Sequence, residues 1–393
     1  MKLRMTALAL VASAVAAAPA AAQDLVAHYP FDETSGTVVN DRSGLGRHAA
    51  VVNGNAGTVW NAGRGLTLPG GNGGTAPAVR VPDGLLAGLD DVTVTYDVRL
   101  SSTTQGPVFA FGRAADNGGS LTATPGSGTT PHQASIAGPG ASPAVHTAAA
   151  PVSLLANTWI HVAVTVKGGD VAAPGQLRLY EDGQLMTSND ALTVKPRDIT
   201  SVVGFVGRSS SAAGQQFRGR IKDLRIYSNV LTTEQVRALS DAAAPGNLAE
   251  LVSSVDLGDT TAITRNLTLP AVPGLTWSTS DPSVVTAQGE VTRPAVGQGD
   301  ATATLTATFT HRGLTDSRSF PITVKQRVAI PADQLQAGLR HFFKLDETTG
   351  TSLANSERRA RPRRSSIPPR RRSRGPASRS TPMPTPTRSR ART

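Results

Sequence analysis

Hydrophobic and polar residues alternate in several runs along the chain. Apolar side chains recur at every second position from Val92 to Val98 and again from Ile160 to Val166. This period of two is typical of antiparallel strands with one buried face. The chain also has 39 glycines and 27 prolines, which favour tight turns, and the Asp182-Gly183 step predicts a hairpin. Long helical periodicity is missing, so the pattern predicts an all-β protein.

One short helix is predicted to begin after Thr232. Thr232 and Gln235 have the spacing of a capping box, and Leu231 and Val236 have the spacing of a hydrophobic staple. The helix is expected to end near residue 240, where an alanine-rich stretch begins.

A Pro-Gly step at residues 245–246 indicates a domain boundary. In the following segment, residues 247–326, Trp277 precedes a turn-forming Ser-Asp-Pro-Ser run. Apolar residues then alternate with threonine from Ala301 to Phe309. A segment of this length and pattern is typical of a small β-sandwich.

The N-terminus has the features of a secretory signal. Lys2 and Arg4 precede an apolar run from Met5 to Ala18, and Ala20-Ala21-Ala22 is a small-residue cleavage site. Residues 1–22 are therefore predicted to be a signal peptide, and the mature protein is expected to be secreted. An N-terminal membrane anchor is the alternative. No later apolar run is long enough to span a membrane, so no span is expected after cleavage.

The net charge of +11 comes from the C-terminal end of the chain. Residues 357–393 hold 13 Arg and one Glu, which leaves a net charge of −1 for the rest. A basic surface for nucleic acid is therefore not expected on the folded part. The chain has no cysteine, which excludes disulfides, cysteine-bound zinc and thiol catalysis.

Residues 24–240 resemble the laminin-G-like (concanavalin A-like) lectin family at three places. HYPFDETSGTVVNDRSGLGRHAAV resembles that family's first strand and loop, and NTWIHVAVTV with LRLYEDGQL resembles its central hairpin. FVGRSSSAAGQQFRGRIKDLRIYSNVLTTEQVRAL resembles its closing strands and helix. The resemblance implies a two-sheet jelly-roll sandwich over residues 23–244. Residues 247–326, through the run WSTSDP, resemble the atrophied bacterial immunoglobulin-like domain, which implies a small immunoglobulin-like sandwich.

The start of the first domain recurs near the C-terminus. The run from Asp346 to Thr351 repeats the run from Asp32 to Thr37 with a single difference. A second, truncated lectin-like domain is therefore expected over residues 339–356. Residues 357–393 are rich in Arg, Pro and Ser without apolar periodicity, which predicts a disordered tail. A frameshift in a GC-rich gene is one interpretation of the abrupt change, and a genuine basic tail is the other.

No catalytic motif is recognisable in the sequence. Glycosidases with concanavalin A-like folds need two carboxylates in one cleft, and the strand signature Glu-x-Asp-x-x-Glu does not occur. Glu181 and Asp182 are adjacent, so they are expected to face opposite ways along a strand or to lie in a turn. The seven histidines form no close metal-ligand spacing. These observations predict a non-catalytic protein.

A structural calcium ion is the first candidate cofactor. Calcium prefers carboxylate and carbonyl oxygens supplied by turns, and the loop at residues 40–46 offers both. The family resemblance implies a calcium ion at this loop, with Asp41 as a ligand and Asp223 as a candidate partner from the last strand. The alternative is that Asp41 only closes an Asx-type turn and that Asp223 faces solvent.

Ligand-binding residues are expected in two polar loops. The candidates are Arg113, Asp116, Asn117 and His132 in the first loop, and Arg208 and Gln216 in the second. Solvated loops have the same composition, so a role without ligand is the alternative. Trp159 is expected to fill the core between the sheets rather than to stack on a sugar. Trp60 is also expected to have a structural packing role, with stacking on a sugar as the alternative.

Three functions are compatible with the sequence. The leading hypothesis is a secreted, non-catalytic carbohydrate-binding or adhesion protein whose partner is an extracellular polysaccharide. The second is the non-catalytic N-terminal portion of a truncated secreted glycoside hydrolase. The third is a structural spacer that binds no glycan.

Overall fold

The computed structural model describes residues 24–101, 106–113, 117–209, 214 and 216–329. These residues form nineteen strands and one α-helix. The strands up to residue 167 are β1 (Leu25–Tyr29), β2 (Val38–Val39), β3 (Ala49–Val52), β4 (Val59–Trp60), β5 (Leu66–Pro69), β6 (Ala78–Val81), β7 (Asp91–Leu100), β8 (Phe109–Gly112), β9 (Ser120–Thr124), β10 (Gln133–Ala137), β11 (Val145–Ala149) and β12 (Trp159–Lys167). The remaining elements are β13 (Gly175–Glu181), β14 (Gln184–Leu192), β15 (Gly204–Val206), β16 (Arg218–Tyr227), α1 (Thr233–Ser253), β17 (Leu275–Thr279), β18 (Ala301–His311) and β19 (Leu314–Val324).

Two antiparallel sheets form the first domain. Sheet A has the order β14-β13-β12-β7-β16-β5-β4, with β1 paired to β16, and sheet B has the order β11-β10-β9-β8-β15-β6-β3-β2. Because β1 pairs with β16, the start of the domain is joined to its end. The prediction of an all-β, two-sheet sandwich is confirmed.

The alternation in the sequence sets the core between the two sheets. The even-numbered residues of β7 from Val92 to Val98 and of β12 from Ile160 to Val166 are buried in one apolar cluster with Phe109 and Phe111 of sheet B. Burial of apolar area in such a core is the main favourable term in folding. The predicted hairpin is also present: Asp182 and Gly183 join β13 to β14 with φ values of 47° and 77°, as a type I′ turn requires.

Helix α1 begins as predicted but ends much later. The Gln235 N–H donates to Thr232 Oγ1 at 3.3 Å, and the Thr232 N–H donates to Gln235 Oε1 at 2.9 Å, which completes the capping box. The helix then continues through Pro245 to Ser253, so the predicted end near residue 240 is wrong. Proline weakens a helix interior, but the apolar residues beyond it, Leu248, Leu251 and Val252, are buried and hold the second half in place.

Trp159 is fully buried, as expected, but it does not lie between the two sheets. Its side chain belongs to an apolar cluster with the second half of α1 and with Leu305 and Phe309 of the second domain. The alternation explains this position, because Ile160 faces the inner core and its neighbour must therefore face outward. The outer face of sheet A is thus covered by α1 and the second domain, and the two domains share this cluster.

The second domain is built on the three-stranded sheet β17-β18-β19. The apolar residues that alternate along β18 are buried, as the pattern predicted. Among residues 256–329, the other side of this core is closed by irregular segments, joined by single bridges such as Val285 to Val291. Prolines interrupt these segments, and a proline has no N–H for a strand ladder. A second regular sheet therefore does not form in the described part of this domain.

Three predicted segments lie outside the described residues. They are the signal peptide at 1–22, the truncated repeat at 339–356 and the tail at 357–393. Within the described part of the chain, no helix is both long enough and apolar enough to cross a membrane.

Candidate functional site

Arg113 and Arg208, one from each of the two polar loops predicted to bind ligand, lie at opposite ends of the strand pair β8–β15. Arg113 follows the end of β8, where Phe111 pairs with Gly204 at the start of β15. Arg208 follows the other end of β15, where Val206 pairs with Phe109. Because the strands are antiparallel, the register separates these two arginines by the length of the strand pair, so they do not combine into one site. His132, at the other end of the first loop, precedes β10 at the same end of sheet B as Arg208.

Arg208 and Gln216 are used to build their own loop. The buried guanidinium of Arg208 lies 3.9 Å from the centre of the Phe205 ring and donates to the carbonyl oxygens of Gly74 and Ala76. Burial, and secondarily the nearby charge of Arg80, lowers the pKa of Arg208. Gln216 accepts the N–H of Ser209 at 2.7 Å. These contacts support a structural role for both residues.

The remaining predicted ligand-binding residues do not gather either. His132 is fully buried, with Nδ1 2.7 Å from Oε1 of Glu181. Arg113 is half-buried and Asn117 is exposed, with a φ of 59°. Asp116 lies outside the described residues. His132 is therefore an internal polar contact between the two sheets rather than part of an exposed loop.

Asp41 closes the turn at residues 40–46, which was predicted to bind calcium. Oδ1 accepts the backbone N–H groups of His28 and Ser43, each at 2.9 Å. Oδ2 accepts the Ser43 hydroxyl at 2.7 Å and the Arg47 N–H at 2.9 Å. Burial acts to raise the pKa of Asp41, but these hydrogen bonds outweigh it and hold the pKa below its usual value.

His28 connects the two predicted calcium ligands. Its N–H donates to Asp41, and its Nε2 lies 2.7 Å from Oδ1 of Asp223. Asp223 is also paired with Arg225 at 2.9 Å. Hydrogen-bond donors thus face both carboxylates. A calcium ion would have to displace these donors before it could bind the carboxylate oxygens. No group of three or more acidic or histidine side chains in the described residues is placed to hold a metal. Calcium binding stays a prediction.

A cavity of about 330 Å³ lies at the edge of sheet A, beside the C-terminal end of α1. We call it the Trp60 cavity, and its lining residues are Trp60, Asn61, Ala62, Arg64, Arg220, Glu250, Ser253 and Ser254. Its volume is at the lower end of the range of small-molecule sites, about 300–1,000 Å³. Apart from Trp60 and Ala62, every lining residue has a polar side chain.

Trp60 lies at the edge of sheet A because it belongs to the short edge strand β4. Trp60 lies on the edge strand β4 opposite Leu66 of β5, and its ring centre is 6.5 Å from that of Phe31 in the core. The indole N–H donates to the carbonyl oxygen of Gly36 at 2.8 Å. Trp60 is only half-buried, so it contributes both to the core and to the cavity wall. The packing role expected from the sequence is present, and Trp60 lines the cavity as well.

Glu250 is the acidic residue of the Trp60 cavity, and it is buried and paired on both oxygens. Arg220 binds Oε1, and Lys222 Nζ lies 3.1 Å from Oε2. Arg64 donates to the hydroxyl of Ser253 at 3.2 Å. No local sequence pattern predicted this cluster, because its members come from β16, α1 and the loop after β4.

Comparison with protein families now identifies the domains. Residues 72–237 match the concanavalin A-like lectin/glucanases superfamily, and residues 246–327 match the atrophied bacterial Ig domain. The chain therefore contains a concanavalin A-like domain followed by an atrophied bacterial Ig domain. The concanavalin A-like domain is larger than the matched segment, because β1 and β5 both pair with β16 in sheet A. The family resemblance stated from the sequence is confirmed.

Three similar proteins share 26% identity or less with this chain. An alpha-L-arabinofuranosidase of Bifidobacterium longum subsp. longum is 26% identical over 174 residues, which is 43% of this chain and 15% of that protein. Domain 4 of an extracellular arabinanase from Geobacillus stearothermophilus, solved in complex with arabinotriose, is 21% identical and covers 55% of this chain and 98% of its own, with a TM-score of 0.39. The binding domain of botulinum neurotoxin DC, solved with rat synaptotagmin II, is 12% identical with 80% of each chain covered and a TM-score of 0.44.

Proposed function

We propose that this protein is secreted and non-catalytic, and that it binds an extracellular polysaccharide in the Trp60 cavity. The observation that carries the proposal is the composition of the cavity, which combines an indole with hydroxyl, amide, guanidinium and carboxylate groups. A sugar ring offers apolar C–H faces to an aromatic side chain and hydroxyls to polar groups, so this combination suits a saccharide. The signal-like residues 1–22 support secretion.

The chemistry of the cavity favours binding over hydrolysis. Glycoside hydrolysis uses two carboxyl groups, about 5–5.5 Å apart in retaining enzymes and about 6.5–9.5 Å apart in inverting ones. The described lining of the Trp60 cavity holds one carboxylate, Glu250, and both of its oxygens are ion-paired. Both oxygens of this carboxylate are therefore occupied, and the described lining offers no second carboxyl group for hydrolysis.

Binding can be tested with the full-length protein on a glycan array and by titration calorimetry with the best hit. We expect Trp60→Leu, which keeps apolar contact with the core but removes the indole, to weaken binding about tenfold or more. Trp277→Leu is the matched control, because Trp277 is a half-buried tryptophan in the Ig domain. Equal weakening by both variants would contradict a site at Trp60. Failure to bind any glycan would favour the spacer function.

A second cavity, of about 310 Å³, is lined by two acidic residues, so the protein should also be assayed for hydrolysis. Glu181 and Asp182 both line it, beside His311 of the Ig domain. Burial raises the pKa of Asp182, despite the opposing hydrogen bond from the His161 N–H. We expect no release of reducing sugar from any bound glycan. Release that is lost in Glu181→Gln or Asp182→Asn would overturn the non-catalytic proposal.

A second candidate function is the non-catalytic portion of a secreted glycoside hydrolase. The observation that favours it is the similarity to the arabinofuranosidase, of which this chain spans about a seventh. Translating the gene beyond codon 356 in the other two frames tests it. A continued likeness to residues 42–100, followed by a catalytic domain, would support this function and the frameshift interpretation together. The absence of such a continuation in both frames would argue against both.

A further inference from the structure

We propose that the saccharide bound in the Trp60 cavity is anionic, carrying carboxylate or sulfate groups. This inference rests on the proposed function and adds the chemical class of the ligand. It is based on an excess of positive charge at the cavity, which the carboxylates of the described residues neutralise only in part.

The first observation is the position of two arginines. Arg99 of β7 and Arg220 of β16 are direct cross-strand partners, so their side chains leave sheet A on the same outer face. Like charges directly opposite each other destabilise an antiparallel pair. Burial lowers the pKa of Arg99, and the charge of Arg220 lowers it further. An anion bound beside this pair would relieve the repulsion.

The second observation is the small number of counter-charges. Arg64 and Arg220 line the cavity, and Arg99 and Lys222 adjoin it through Ser254 and Glu250. The carboxylate of Glu250 faces this group, and the C-terminal end of α1 adds roughly half a negative charge. Asp256, the next acidic residue along the chain, is exposed and accepts the N–H of Gly258. Lys222 also lies opposite Asp97 in the strand register, so it has a second carboxylate beside it. Among the described residues Glu250 is the carboxylate paired with Arg220, while Arg64 and Arg99 have no ion pair of their own.

The third observation is that Arg64 and Arg99 do not cap helix α1. Arg318 caps the C-terminal end of α1, because it donates to the carbonyl oxygens of Ser253 and Val255, each at 2.8 Å. Arg64 and Arg99 instead donate to the hydroxyls of Ser253 and Ser254. A hydroxyl is neutral, and neither arginine has a carboxylate partner among the described residues. Their charge remains available to a ligand.

Guanidinium groups suit such a ligand for a geometric reason. Two parallel N–H groups of an arginine match the two oxygens of a carboxylate or sulfate, and these charge-assisted bonds are stronger than neutral ones. Arg64 is exposed at the rim of the cavity, so it can reach an anionic group without a change in the fold. A neutral glycan would use the hydroxyls of the cavity but not this charge.

The test is titration calorimetry of the full-length protein with three tetrasaccharides: tetragalacturonate, the neutral galactotetraose and a sulfated galactotetraose. An anionic tetrasaccharide should bind at least about tenfold more tightly than the neutral one. Raising the salt from about 50 to 300 mM should reduce that preference, since exposed charges are screened. Preference for the sulfated ligand over the uronate would keep the inference and identify the anion as sulfate.

Arg64→Gln should reduce the affinity for the anionic ligand about tenfold and leave the neutral ligand within about twofold. Arg237→Gln is the control, because Arg237 is an exposed arginine in the first half of α1, away from the cavity lining. Equal affinity for neutral and anionic ligands, lost in Trp60→Leu, would overturn the anionic inference and leave the proposed function standing. Absence of binding to all three, together with no binding on the glycan array, would instead overturn the proposed function.

Discussion

The ammonium group of Lys222 lies 4.3 Å from the ring centre of Trp159, on the outer face of sheet A. The same lysine pairs with Glu250 of α1, while the indole is buried against Leu251 and the core of the Ig domain. A strand, a helix and a second domain thus meet at one tryptophan. This relationship predicts that the two domains unfold together.

Trp159→Ala should lower the free energy of unfolding by about 3–5 kcal/mol, the usual cost of truncating a buried tryptophan. We expect urea unfolding, followed by circular dichroism, to change from one transition to two, because the shared apolar cluster is lost. Trp159→Phe should cost less, since the indole N–H has no hydrogen-bond partner among the described residues. A loss below about 1 kcal/mol for the alanine variant would contradict the shared core.

Pro245→Ala should raise the melting temperature if α1 is continuous through residue 245. Proline in a helix interior costs about 3 kcal/mol relative to alanine, and Pro245 is exposed, so no packing is lost. Gly246→Ala should stabilise by about 1 kcal/mol, because nothing lies within 4 Å of the added methyl group. Thermal unfolding of both variants checks this. No gain from either substitution would indicate a linker at 245–246 instead of a helix.

Asp41→Ala should destabilise the protein by about 2–4 kcal/mol at neutral pH, because four hydrogen bonds to a carboxylate are lost. The folded state lowers the pKa of Asp41 below its ordinary value of 3.8. The stabilisation is therefore fully present above pH 3.8 and is lost as the pH falls through the lower, folded-state value. Urea unfolding across the pH range should show a constant difference from pH 5 to 8 that shrinks below pH 4. A difference that grows on acidification would contradict this assignment.

Calcium binding at Asp41 and Asp223 is tested by chelation. A bound structural ion would stabilise the native state, so EDTA would lower the melting temperature of the wild-type protein and not that of Asp41→Ala. No effect of EDTA on the wild-type protein would leave only the turn interpretation, in which hydrogen bonds fill both oxygens of Asp41. A chelator-sensitive wild-type protein would show that the loop rearranges around an ion.

The sequence by itself determined the elements that depend on neighbours along the chain. The period of two at Val92 to Val98 fixed which side chains enter the core, since successive residues of a strand point to opposite faces. The Asp182-Gly183 turn and the Thr232 capping box followed from the backbone preferences of a few adjacent residues.

Only the tertiary structure decided what lies against those elements. Trp159 was expected to be buried, but its partners come from α1 and the Ig domain, whose positions no local pattern encodes. The same holds for Arg99 and Arg220, which are far apart in the sequence and become neighbours through the register of β7 and β16. Pairing between distant strands is set by the packing of the whole sandwich, because each strand's pattern is compatible with several partners. The candidate site is made of such long-range contacts, so the sequence predicted the fold but not the cavity.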